Sequence, residues 1–98
     1  PPLTWLVGLG EEAAKQNLAL MQSLRSAGIC CRMAPGGSMK SQMRAANKSG
    51  AAWTVIRGDE ELARGVAALK DMVSGEQQNL PLARLADELL AQSAARRP

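Results

Sequence analysis

The chain has 98 residues, of which 46% are hydrophobic and 2% aromatic, and its formal net charge is +3. That length allows one domain over residues 1–98, with an aliphatic core. No apolar run approaches the roughly 18 residues of a membrane span, the first five residues lack the features of a signal peptide, and the absence of His excludes the commonest general base and metal ligand. We expect a soluble, cytoplasmic protein without membrane contact, and the start at Pro1 suggests a fragment of a longer product.

The first half of the sequence predicts strands that alternate with helices. Short apolar runs indicate buried strands, while apolar residues at helical spacing, with Gly28 as a terminator and Ser38 as a cap, indicate helices. Two crossover helices imply parallel strands in a sheet that helices cover. The predicted strands are residues 4–7, 29–33 and 52–56, and the predicted helices are residues 11–27 and 38–49, the second following a turn at residues 35–37.

The second half has shorter connections. Residues 59–63 fit one helical turn, residues 65–72 a fourth strand, and residues 76–80 a fifth strand. The connections on either side of the fourth strand are too short for crossovers, so this strand should run antiparallel. Pro81 suits the start of a last helix, and we expect the tail from about residue 92 to fray.

Basic residues are concentrated between residues 13 and 58, a stretch without Asp or Glu, whereas both flanks are acidic. This segregation predicts a polyanionic partner, for which nucleic acid is the usual choice. Lys40, Arg44 and Lys48 follow at i, i+4 and i+8 and should form one ridge along the second helix. A solvated helix face would explain the ridge alone, but the missing acids favour binding. The basic residues of the stretch are Lys15, Arg25, Arg32, Lys40, Arg44, Lys48 and Arg57.

No catalytic constellation emerges from the glycine-rich and acidic segments. Gly8 and Gly10 lack the third glycine of a dinucleotide fingerprint, and the segment around Ser38 lacks the spacing of a phosphate-binding loop. A Ser–Lys nucleophile involving Lys40 is conceivable, although a helix cap at Ser38 is favoured. The acids at residues 59–61 could attract Mg²⁺, but they more often favour a helix N-terminus.

The adjacent Cys30 and Cys31 have a poor geometry for a mutual disulfide and lack the spacing of a zinc or redox motif. We expect both to be reduced packing residues. Lys70 lies in the apolar fourth strand, where it is either an ordinary outward-facing residue or a residue that contacts a ligand at the sheet.

Several segments resemble the C-terminal domain of bacterial histidyl-tRNA synthetases. The Gly-Gly-Ser-Met-Lys-Ser-Gln-Met-Arg run that begins at Gly36 and the Lys-Asp and Gly-Glu-Gln pair that begins at Lys70 are similar to that family in particular. The Gly-Asp-Glu-Glu-Leu run at residues 58–62 is similar to class IIa synthetases in general. With Val-Gly-Leu-Gly at residues 7–10, the resemblance covers about residues 6–90.

The resemblance implies an α/β fold with three layers, α/β/α, around a five-stranded mixed sheet whose fourth strand is antiparallel. It implies a domain that binds the anticodon loop of histidine tRNA. A separate catalytic domain of the same polypeptide would use ATP and Mg²⁺ for the ligation, in a homodimer. The chain itself lacks the class II catalytic motifs, so we expect no ligase activity, cofactor or metal in it.

The resemblance also implies which residues bind RNA. Contacts to the anticodon would come from the first strand-to-helix loop, the second helix, the acidic turn and the fourth strand. Because few aromatic residues are available to stack on bases, recognition would depend on hydrogen bonds and charge. The implied anticodon-binding residues are Gly8, Gly10, Lys40, Arg44, Glu61 and Lys70, and we expect phosphate contacts from Lys48 and Arg57.

Two other hypotheses stay open at this point. A paralogous domain could keep the same fold for dimerisation or regulation without tRNA selectivity. The other hypothesis is that the chain is a small α/β enzyme with an unrecognised site. Binding to RNA loops with different anticodons distinguishes these hypotheses.

Overall fold

The computed structural model describes residues 2–34 and 36–96, so Pro35 of the predicted turn and the end of the predicted tail, residues 97 and 98, lie outside the described residues. The described residues form a five-stranded sheet with the strand order β2-β1-β3-β4-β5. The strands are β1 (Thr4–Gly8), β2 (Cys31–Met33), β3 (Trp53–Arg57), β4 (Val66–Asp71) and β5 (Gln77–Pro81). The helices are α1 (Glu11–Ser26), α2 (Met39–Lys48), α3 (Asp59–Arg64) and α4 (Leu85–Ala95), with a 3-10 turn at Leu82–Arg84.

The strand directions follow from the lengths of the connections. The helices α1 and α2 carry the chain back across the sheet, so β1 pairs in parallel with both β2 and β3. The short links around β4 permit only a reversal, and β4 is antiparallel to both β3 and β5. The predicted mixed five-stranded sheet with an antiparallel fourth strand is therefore confirmed, as is the α/β fold class.

The larger part of the core lies on the sheet face that α1 and α4 cover. Leu24 from α1, and Leu85 and Leu89 from α4, pack there against Val55 and other strand residues. Trp53, the first residue of β3, is 1% exposed on this face, and its indole Nε1 donates to Gln92 Oε1 at 2.7 Å. A buried indole N–H needs such a partner, so α4 is fixed to the sheet by both packing and a hydrogen bond.

The other sheet face has a smaller core beneath α2. Ala46 of α2 packs with Trp5, Val7 and Ile56 of the sheet. The helix begins where Ser38 Oγ accepts from the backbone N–H of Ser41 at 3.1 Å, as the sequence predicted for this cap. Its buried residues, Gln42 and Ala46, are four apart and so define the side that faces the sheet.

The last helix extends past the residue at which we expected the tail to begin. Pro81 closes β5, a 3-10 turn follows, and α4 continues past residue 92 to Ala95. Three contacts hold the extra turn. Gln92 binds Trp53, and the Arg96 guanidinium lies 4.5 Å from the Trp53 ring centroid and pairs with Asp71.

The two cysteines have different environments. Cys31 is buried in the larger core, where burial raises the pKa of its thiol against the opposing effect of Arg25, so packing is its role there. Cys30, the residue before β2, is exposed, so the expectation that it packs was wrong. Within residues 2–34 and 36–96, no helix is both long and apolar enough to cross a membrane.

Candidate nucleic-acid interface

The loop between β1 and α1 depends on its two glycines for different reasons. Gly10 has φ +98°, a backbone conformation that L side chains rarely adopt. At Gly8 the limit is space, because an added Cβ would lie 3.1 Å from the backbone of Ala14 and 3.0 Å from Asn17 Nδ2. Gly8 is therefore buried, with its backbone packed closely against α1, whereas Gly10 is exposed and leaves the loop backbone without side-chain cover.

The turn between β3 and α3 lies beside this loop. The backbone N–H of Leu9 donates to the carbonyl of Arg57 at 2.9 Å, which joins the two segments. Glu61 Oε1 accepts from the backbone N–H of Gly58 at 2.6 Å and so caps the first turn of α3. We call this region, Gly8, Gly10, Gly58 and Glu61, the glycine edge. It brings together three of the residues that the sequence implied for anticodon binding.

The basic residues of α2 form the predicted ridge, which faces away from the sheet. Gln42 and Ala46 face the sheet. Lys40, Arg44 and Lys48 are each two residues away from one of them, so they lie on the opposite side of the helix, and all three are exposed. The first turn of α2 contains no acid. We call these three residues the basic ridge, which offers positive charge to a polyanion but does not share a surface with the sheet.

Arg57 was expected to contact phosphate, and its position argues against that role. The residue is 2% exposed, and it lies on the α1 side of β3, where its Nε donates to the carbonyl of Val66 at 3.0 Å. Its Nη1 is 3.5 Å from Gln16 Oε1. Burial lowers the pKa of Arg57, and the negative charge of Glu61 opposes that effect. The guanidinium is engaged inside the fold, joining β3, β4 and α1.

Lys70 lies on the sheet face that also carries α2, at some distance from the glycine edge. Its partner in β3 is Thr54, three residues before Arg57, which corresponds to roughly 10 Å along the strand. On β5 its partner is Gln77, and Asn79 follows two residues later on the same side. Lys70 is half-buried, whereas Gln77 and Asn79 are exposed. We call these three residues the open sheet face.

Gln77 and Asn79 were missed by sequence reasoning because strand pairing decides their neighbours. Their amide groups offer both hydrogen-bond donors and acceptors beside the Lys70 ammonium, which is the chemistry that can read the edge of a splayed base. Gln42 was also missed, although a polar residue four positions before the buried Ala46 was a usable signal.

Among the described residues, no group of three or more His, Cys, Asp or Glu side chains could hold a metal ion.

Comparison with known proteins decides the family. The model of the anticodon binding domain matches residues 5–92. The chain belongs to the anticodon binding domain family. Among its curated relatives are the histidine–tRNA ligases of Gluconobacter oxydans, 41% identical over 88% of this chain, and of Streptomyces avermitilis, 45% identical over 87%.

Solved structures agree with that assignment. The histidyl-tRNA synthetase of a Nostoc species superposes with a TM-score of 0.84 at 32% identity, over 94% of this chain and 21% of its own. The RNA binding domain of a Cryptosporidium parvum threonyl-tRNA synthetase superposes with a TM-score of 0.83 over 93% of this chain and 23% of its own. At 13% identity, that second match shows the fold alone.

The chain described here spans only about a fifth of the length of its curated relatives. The matched segment covers 21% of the Gluconobacter ligase and 20% of the Streptomyces ligase.

Proposed function

We propose that this domain binds the anticodon loop of histidine tRNA as part of a histidine–tRNA ligase. The main support is the match of residues 5–92 to the anticodon binding domain, together with identities above 40% to two histidine–tRNA ligases. A paralogous domain that serves dimerisation or regulation without tRNA selectivity has no comparable support.

Three surfaces divide the work of binding in this proposal. The basic ridge contacts phosphates, since Lys40, Arg44 and Lys48 are exposed cations without an acid in the first turn of their helix. The glycine edge offers the RNA the exposed backbone at Gly10, while the buried Gly8 supports this loop from below. The open sheet face supplies donors and acceptors for bases, with Lys70 beside Gln77. Phosphate contacts position the loop and base contacts select it.

The role of Glu61 in this proposal is shared between structure and recognition. One carboxylate oxygen caps α3 through Gly58, while the side chain remains partly exposed beside the β1–α1 loop. Arg57 is omitted from the phosphate contacts because its guanidinium is engaged inside the fold. The buried charge of Arg57 adds to the positive potential of the domain without contacting the RNA.

Properties of the complete ligase are proposed from the relatives. We assign ATP and Mg²⁺ to a catalytic domain of the same polypeptide, with which this domain would cooperate in a cytoplasmic homodimer. The two named ligases are about five times as long as the matched segment, which leaves ample chain for such a domain. No step of RNA recognition by this domain requires those cofactors.

Titration of the chain with a stem-loop RNA that carries the histidine anticodon tests the proposal, against the same stem-loop with altered anticodon bases. We expect tighter binding of the cognate loop. Lys70→Ala should reduce this discrimination, because in this proposal its ammonium contacts a base beside Gln77, and each lost base contact costs about 1–3 kcal/mol.

Lys48→Ala is the matched control, since it also removes one Lys but from the basic ridge. It should weaken both loops alike and flatten the salt dependence by about 0.7 in the log–log slope. Equal affinity of the wild-type chain for both loops would contradict selective anticodon recognition and favour the paralogous domain. A Lys70→Ala variant that unfolds would show that Lys70 is structural.

A further inference from the structure

One end of β1 lacks a strand neighbour on one side. The ladder between β1 and β2 ends at the pair Leu6 and Met33, whereas β1 continues to Gly8. In a parallel ladder alternate residues turn their N–H and C=O to opposite neighbours, and Leu9 donates toward β3. The N–H and C=O of Gly8 therefore point toward β2, beyond the last residue of that strand.

The side chain of Gln42 takes the place of the missing strand. Its Oε1 accepts from the N–H of Gly8 at 3.1 Å, and its Nε2 donates to the carbonyl of Gly8 at 2.8 Å. One amide thus pairs with both groups of a single residue, as a neighbouring strand would. The second hydrogen of Nε2 goes to the carbonyl of Gly37 at 2.7 Å, in the loop before α2.

This arrangement fully uses the amide. Both donors and the acceptor of Gln42 are engaged, and the residue is 1% exposed. Packing alone would favour an apolar side chain here, since burying an amide is unfavourable until each of its groups is bonded. The bonds instead join two glycine-rich loops that are 34 and five residues away from Gln42 in sequence.

We propose that Gln42 is a positioning residue for RNA recognition, which fixes the β1–α1 loop and the loop before α2 in one geometry. This inference rests on the proposed function, because it gives the two loops a ligand. Gln42 does not touch the RNA, being buried; it acts through Gly8 at the glycine edge and through Gly37 at the start of the helix that carries the basic ridge. With loose loops the cations of the basic ridge would still attract phosphates, but the glycine edge, where Glu61 takes part in recognition, would no longer hold the anticodon in the position that base selection needs.

The test compares Gln42→Met with Ala46→Gly in the full chain. Methionine keeps the length of the side chain and removes all three hydrogen bonds. Ala46→Gly is a control one turn later on the same face of α2, and it weakens the helix by about 1 kcal/mol without touching either loop. Both variants are titrated with the cognate and the altered anticodon loop at a temperature where circular dichroism shows them folded.

We expect Gln42→Met to lower the ratio of the two dissociation constants by about tenfold, equivalent to about 1.4 kcal/mol, while Ala46→Gly keeps the wild-type ratio. The Gly8 amide should also exchange faster with solvent in Gln42→Met. If Gln42→Met does not fold, Gln42→Glu replaces it, because a buried carboxyl group can still accept from Gly8 but donates at most one hydrogen bond, so at least one of the two carbonyls loses its partner.

The outcomes separate the two claims. A wild-type chain that does not discriminate between the loops refutes the proposed function, and the positioning role fails with it. A discriminating wild type whose Gln42 variants discriminate equally well refutes the positioning role alone. Equal loss of discrimination in Ala46→Gly would also refute it, because general destabilisation of α2 would then explain the effect.

Discussion

Removing the basic ridge should change the salt dependence of RNA binding by a predictable amount. The triple variant Lys40→Gln, Arg44→Gln and Lys48→Gln deletes three exposed cations that lie on the side of α2 away from the core. Each phosphate contact to a single strand contributes about 0.7 to the slope of log K against log salt, so the slope should fall by about 2. Stability should change little, since exposed substitutions usually shift it by less than about 0.5 kcal/mol.

The assay is a titration of an anticodon stem-loop at several salt concentrations, repeated with a charge-matched control. The control replaces Lys15, Arg64 and Arg84 by Gln, which removes the same charge from exposed positions on α1, α3 and the 3-10 turn. Its slope should stay close to that of the wild type. Equal flattening by both triple variants would refute the ridge, because net charge alone would then account for the salt dependence.

Two further predictions concern the folded chain alone. Glu61→Ala should lower the free energy of unfolding by about 1 kcal/mol in urea denaturation, because it removes the acceptor for the Gly58 N–H. Glu61→Gln should lower it by less than about half as much, because the amide oxygen can still accept this hydrogen bond. Equal losses in the two variants would show that the charge of Glu61, and not the hydrogen bond, stabilises the fold. The pKa of Asp71 is held below its ordinary value, first by the N–H of Ser74 and then by Val73 and Arg96, against desolvation. A carboxyl group whose pKa is lowered by folding stabilises the fold at pH values above its pKa in the unfolded chain, and this stabilisation is lost as the pH falls. The wild type should therefore lose its stability advantage over Asp71→Asn below about pH 4. Urea denaturation at successive pH values measures this difference. An advantage that persists unchanged at lower pH would exclude the ionised carboxylate as its source.

Much of the fold could be predicted from local pattern. The apolar runs gave the strands, glycine and Ser38 bounded the helices, and short links around β4 required its antiparallel direction. The helical spacing of the basic ridge was likewise enough to place its residues on one exposed side of α2. These features depend on residues close together in the sequence.

The features that the sequence did not reveal depend on distant neighbours. Arg57 follows an apolar run and reads as a free cation, yet strand alternation with Trp53 and Val55 turns it toward α1, where it is buried. That alternation was the signal for its burial. Gln42 acquires its partners only because β2 ends early, and Gln77 joins Lys70 only through the register of β4 and β5.

The division of the sheet into two unequal faces has a consequence for redesign. The large aliphatic core and Trp53 are on one face, whereas the exposed Gln77 and Asn79 are on the other. Side chains at these two positions can be exchanged with little effect on folding, because both are exposed and belong to neither core. A library randomised at these two positions would therefore sample RNA preferences on an unchanged scaffold, and variants with altered anticodon choice could be selected without compensating stabilisation elsewhere.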